Sequence, residues 1–173
     1  MGPDAREPRG LDRGGTPVTA ASGWRTAGPG DAPGLRDLER AANLVGLAHV
    51  FPADRFPFPD DAVLARWALV LDDPGVVVEV VDGEAGLLAL AAYDDGSLRH
   101  LAVHPDAWGT GLGRAGVARA VAHGARRLWV LDDNHRARRL YERLGWGPTG
   151  VEQECPWVPH PTELEYALLG STA

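Results

Sequence analysis

Between Val103 and Arg114 the chain reads Val-His-Pro-Asp-Ala-Trp-Gly-Thr-Gly-Leu-Gly-Arg, with glycines at 109, 111 and 113 where a strand pattern gives way to a helical one. A loop of this kind can turn successive backbone N–H groups towards one point. Together with the N-terminus of the following helix it makes a site for a phosphate or pyrophosphate. Side chains at the glycine positions would block so close an approach.

Two kinds of anion site use such a loop. Residues 111–116, Gly-Leu-Gly-Arg-Ala-Gly, match the dinucleotide fingerprint G-x-G-x-x-G, and Asp133 follows at about the ~20-residue distance of a ribose-binding acid. The surroundings argue against it. The loop after Val103 is long where that fingerprint wants a tight turn, and too little chain follows to build a doubly wound sheet.

The elements that must hold these residues follow from periodicity. Residues 1–23 lack any and are expected to be a disordered tail, with one domain over 24–170. From Asp31, Leu35, Leu38, Ala42 and Val45 recur at helical spacing, with Asp31 as cap. The proline-rich run 51–59 breaks that helix and is expected to expose Phe51, Phe56 and Phe58. A second helix, capped by Asp60, places Val63, Leu64, Trp67, Ala68 and Leu71 on one face. Strands are expected at 76–81, 85–93 and 97–103, with Asp82-Gly83 as a hairpin signal. A helix near 111–123, a short buried strand at 127–131 and a helix capped by Asn134 come next. Strands at 149–155 and 162–169, joined by the loop 156–161, close the chain.

The stretch 98–150 resembles the GNAT superfamily of acyl-CoA-dependent N-acyltransferases. Leu101-Ala102-Val103-His104-Pro105 and the glycine loop match its first motif, and Asn134, Ala137, Tyr141, Gly145 and Trp146 its second. The resemblance extends over about residues 24–169 by order of elements. It implies a mixed α/β fold with a GNAT-like mixed sheet: an N-terminal antiparallel meander, then a strand–helix–strand crossover and a C-terminal hairpin. It implies acetyl-CoA as co-substrate, with no metal. Leu101, Ala102 and Val103 would line the pantetheine arm, with the backbone of Leu101 and Val103 pairing to it. Trp108, Gly109, Thr110, Gly111, Leu112, Gly113 and Arg114 would surround the pyrophosphate. Asn134 would lie near the pantetheine, and Tyr141 would be the general acid, its phenol of ordinary pKa near ~10 suited to protonating a departing thiolate near ~8.5. Trp108 stands where the family usually has Gln or Arg, and packing is expected of it instead.

The implied reaction is direct attack of a small molecule's primary amine on acetyl-CoA. A protein or peptide N-terminal acetyltransferase and a non-catalytic acyl-CoA sensor remain as alternatives. The general base stays open among Asp94, Asp95, His100, Glu79 and a water relay. The loops 51–60 and 156–161 are expected to form the acceptor pocket, with Phe56, Phe58 and Trp157 as walls. Glu152, Glu154, Glu163 and Glu165 are candidates for attracting a cation, and a solvated strand face is the simpler account of them.

Composition agrees with this class. The 173 residues carry a net charge of −7, which argues against a nucleic-acid partner. All 17 basic residues are Arg, and from Arg114 to Arg143 eight of them face only three acids. That basic stretch can meet a polyanion or be a solvated helix face. No apolar run suits a membrane span, and no secretory leader pattern is present. The single Cys155 forms no internal disulfide and is expected to be a small buried hydrophobe in a reducing, cytoplasmic setting. A homodimer is compatible with all of this.

Overall fold

The computed structural model describes residues 23–170, so nearly all of the tail expected at 1–23 lies outside the described residues. Strand β1 (Arg25–Thr26) leads through a 3-10 turn into helices α1 (Ala32–Gly46) and α2 (Asp60–Asp72). Strands β2 (Val77–Gly83), β3 (Gly86–Tyr93) and β4 (Ser97–Val103) follow as an antiparallel meander. Then come α3 (Leu112–His123), β5 (Arg127–Leu131), α4 (His135–Arg143), β6 (Trp146–Glu154) and β7 (Thr162–Leu168). The seven strands form one sheet in the order β1-β2-β3-β4-β5-β7-β6, and only β4 and β5 run parallel. A doubly wound sheet is thereby excluded, and the dinucleotide fingerprint with it.

Both faces of the sheet are covered, and β3 shows why. Its Ala89, Ala91 and Ala92 are fully buried, and such small side chains let helices approach from either side. Towards α1 and α2, Leu35, Leu38, Val63 and Trp67 close over Val78, Val80, Leu90 and Ala92. Towards α3 and α4, Val117, Ala120 and Tyr141 close over Ala91, Tyr93, Leu98, Leu128 and Tyr166.

Glu79 interrupts the valines of β2 and points to the α3 side. There Arg119 grips its carboxylate with two hydrogen bonds of 2.6 Å, and the Tyr93 hydroxyl donates to it as well. The Arg119 guanidinium holds the Glu79 carboxyl below the usual range, against the opposing effect of burial.

The structure revises several local expectations. β1 carries no pattern the sequence could show, being two residues held to β2 and fixed by Arg25 bonding Asp31 and Asp82. Asp31 stands at the N-cap of α1 as expected, but its side chain accepts from the Gly28 N–H and makes no bond to the helix amides, and Asp60 sits inside the first turn of α2 with Pro59 as the cap. β6 starts at Trp146, not Thr149, because Gly145 at φ 85° ends the helix and the strand begins at once. β5 is not buried throughout: Arg127 and Trp129 face outwards between Leu128 and Val130.

Candidate functional site

β4 and β5 pair only at Ser97–Arg127 and Leu98–Leu128. Beyond these pairs the strands splay, each still held by its other neighbour. Backbone polar groups alternate sides along a strand. The His104 N–H donates to Leu88 of β3, so the groups of Leu101 and Val103 point to the opposite, open edge. A cleft of about 490 Å³ lies there.

The glycine loop closes one end of this cleft. Gly109 and Gly111 have φ of 81° and 90°, a region that favours glycine, and Gly111 caps α3. The first amides of α3 have no partner within the helix and present its positive end to the cleft. A Cβ at Gly111 would meet nothing within 4 Å, so Gly111→Ala tests backbone conformation alone. It is expected to cost about 1–2 kcal/mol in urea denaturation.

All the expected coenzyme residues line the cleft except Thr110. Thr110 turns back, its hydroxyl donating to the Ala107 carbonyl at 2.6 Å. Asn134 caps α4 by accepting from the Ala137 N–H at 3.2 Å while also bordering the cleft. Tyr141 is 6% exposed, with its ring beside that of Trp146. Burial pushes its phenol above the ordinary value near ~10 assumed from sequence, so it holds its proton firmly at neutral pH.

Trp108 packs. Its indole N–H donates to the Val103 carbonyl at 2.8 Å, and the Arg136 guanidinium lies 3.8 Å from its ring centroid. One polar group of the open edge is therefore already engaged.

Sequence reasoning did not assign two sides of the cleft. α1 contributes Asn43, Gly46 and Leu47, far away in sequence and brought in by tertiary packing. Arg136, Arg139 and Arg143 of α4 join Arg114 around it. The signal for these was the basic stretch and the helical spacing of 136, 139 and 143. Arg138, on the other side of α4, binds Asp132 and the Tyr166 hydroxyl.

A second, smaller cavity of about 110 Å³ lies beside α1. The loops after α1 and between β6 and β7 meet there, as the sequence predicts. Phe51, Phe56 and Phe58 are half-buried in its wall, not exposed, and Trp157 and Val158 face them. Leu47, Val50, Leu131 and Cys155 form the small core that ties these loops to the end of β5. Burial raises the Cys155 thiol, which acts as a small apolar side chain.

None of the four side chains considered as general base borders either cavity. Glu79 is committed to Arg119 and Tyr93 on the α3 face. Asp94 binds Arg99 and the turn amides of Gly96 and Ser97, at the end of β4 remote from Val103. Asp95 shares that turn, 3.2 Å from His123. His100 packs on Trp67 with ring centroids 5.0 Å apart, and burial, aided by Arg66 and Arg99, pushes its pKa down to about 3. A ring so hard to protonate is a poor acceptor for an ammonium proton. Of the hairpin glutamates, Glu165 is paired with Arg127 and Thr149, Glu163 accepts from Gln153, and none borders the smaller cavity.

Comparison with known proteins places this arrangement. The family model described as "Acetyltransferase (GNAT) family" matches residues 35–146. No curated protein matches the chain. Among solved structures, apo YjaB from Escherichia coli is similar at a TM-score of 0.70 and 18% identity, over 86% of this chain and 98% of that one. The PaiA N-acetyltransferase from Thermoplasma acidophilum in complex with coenzyme A gives a TM-score of 0.60 at 13% identity, over 83% and 96%. The ribosomal-protein-S18-alanine N-acetyltransferase from Escherichia coli gives 0.58 at 20% identity, over 88% and 98%. A family match spanning most of the sheet and both motifs, on a chain with this fold, means that the protein belongs to the GNAT acetyltransferase family.

Proposed function

We propose that the protein is an N-acetyltransferase that moves the acetyl group of acetyl-CoA to the primary amine of a small molecule by direct attack. One observation carries this reading: the open edge of β4 runs from a glycine cradle to the buried, protonated Tyr141. Acetyl-CoA supplies an activated acyl thioester. The residues fit such a co-substrate: the edge has backbone groups of Leu101 and Val103 for an amide-bearing arm, and Arg114, Arg136, Arg139 and Arg143 suit its phosphates.

The amine nitrogen bonds to the thioester carbon as the carbon–sulfur bond breaks. Tyr141 donates its hydroxyl proton to the departing sulfur. The apolar surroundings that raise its pKa also raise that of a thiol leaving into the same place, so the two stay comparable. Among the described residues no carboxylate or imidazole borders the larger cleft, and water takes the ammonium proton. The tyrosine recovers its proton from solvent.

Calorimetric titration with acetyl-CoA, and separately with NADH, tests the reading. The expected result is saturable acetyl-CoA binding that weakens as salt screens the arginines, with no NADH heat. A thiol-release assay over a panel of amines then reads turnover. Binding without turnover on any amine would point instead to an acyl-CoA sensor.

A further inference from the structure

The two cavities share a single lining residue among the described ones, Asn43 on α1. Resting on the acetyltransferase reading, we infer that the acceptor is a monoamine with an apolar, ring-sized body, seated between the two loops with its amino group delivered at Asn43. The walls at Phe56, Phe58, Trp157 and Val158 are apolar. The volume of about 110 Å³, open at its mouth, is on the scale of the ~150 Å³ apolar cavity that takes up benzene.

Charge narrows the class further. Among the described residues the one carboxylate bordering the cavity is Glu39, and one of its oxygens already accepts from the Arg66 guanidinium and from the Trp67 indole N–H at 3.0 Å. The carboxylate is neutralised where it stands. A polyamine would bring a second ammonium into this apolar space with no free counter-charge, at a desolvation cost that nothing offsets. Asn43 offers an uncharged carbonyl and amide at the junction. It can accept from an amine without holding it as an ammonium, which keeps the nitrogen lone pair available.

The test uses the full chain with coenzyme A or acetyl-CoA present. Phenethylamine, spermidine and the tripeptide Ala-Ser-Ala are compared by thiol release, and phenethylamine binding is followed by calorimetry. Phenethylamine is expected to exceed both others in kcat/KM by about tenfold or more. Val158 is 59% exposed, so Val158→Arg leaves the core intact while placing a cation at the mouth. It should lower phenethylamine affinity by about tenfold and leave acetyl-CoA binding unchanged. Asn43→Leu should lower kcat with little change in KM for phenethylamine when the rate is divided by the number of acetyl-CoA-binding sites counted in calorimetry, so that a loss of folded protein does not enter it. Preference for spermidine or the tripeptide would overturn the inference while leaving the acetyltransferase reading intact. Saturable phenethylamine binding, lost in Val158→Arg but without turnover, would sustain the pocket and sink the acetyltransferase reading. Phenethylamine that neither binds nor reacts would overturn the inference.

Discussion

Tyr141→Phe is expected to lower kcat by about 10²-fold or more while leaving acetyl-CoA affinity close to unchanged. Phenylalanine keeps the ring that packs with Trp146 and the α3 core, and removes only the proton donor. Among the described residues no other phenol, thiol or imidazole borders the larger cleft to take over the donation. Single-turnover thiol release gives the chemical step, and calorimetry gives the affinity. An unchanged chemical step would remove Tyr141 from the reaction. A parallel loss of affinity and rate would mark it as part of the binding wall only.

Acid should lower the stability of the protein over two overlapping pH ranges. His100 has a folded pKa of about 3 against an unfolded value near ~6.5. The folded state thus resists protonation, and stability is lost as pH falls from ~6.5 towards 3, by up to ~1.4 kcal/mol per pH unit. Glu79 has a folded pKa held below its unfolded value near ~4.3, so its contribution is present above that value and is lost at lower pH. Urea denaturation as a function of pH checks both. His100→Leu is expected to flatten the profile between ~6.5 and ~4.5, and Glu79→Gln to lessen its slope below ~4.3, where His100 still contributes. A wild-type profile already flat between those pH values would mean that His100 is not held neutral against Trp67.

The legible parts of this protein were those whose signal is local. The 3.6-residue spacing of Ala137, Leu140, Tyr141 and Leu144, the cap at Asn134 and the glycines after Val103 each announce a short element and its end. The two motifs therefore fell on one cleft as expected. The loops rich in Phe and Pro also met as expected, but their aromatics turned inwards, because the packing that buries them comes from α1 and from Trp157. Placement of Glu79 and His100 was out of reach for the same reason. Each stands on a strand whose period shows that it alternates, yet which helix covers which face is decided by contacts remote in sequence. Gly46 and Leu47 gave no sign of bordering the cleft, since nothing near them in the chain refers to β4.

The pairing of β4 with β5 has a mechanical consequence. Among the described residues, two residue pairs make up the ladder between the β1–β4 half of the sheet and the β5–β7–β6 half, with the Arg126 N–H donating to the Gly96 carbonyl at the same corner. The sheet is built like a book bound at one corner, with the binding at Ser97 and Leu98 and the open pages at Val103 and Leu131. A small rotation at the binding becomes a larger displacement at the open edge, and it breaks no other ladder. Widening the cleft is thus inexpensive in hydrogen bonds, while shifting β4 against β3 or β5 against β7 is not. The line that a long, narrow co-substrate would occupy is thus the one seam of the sheet closed by side-chain packing, through the cores around Leu98 and Leu128 and around Leu47 and Leu131, in place of a hydrogen-bonded ladder.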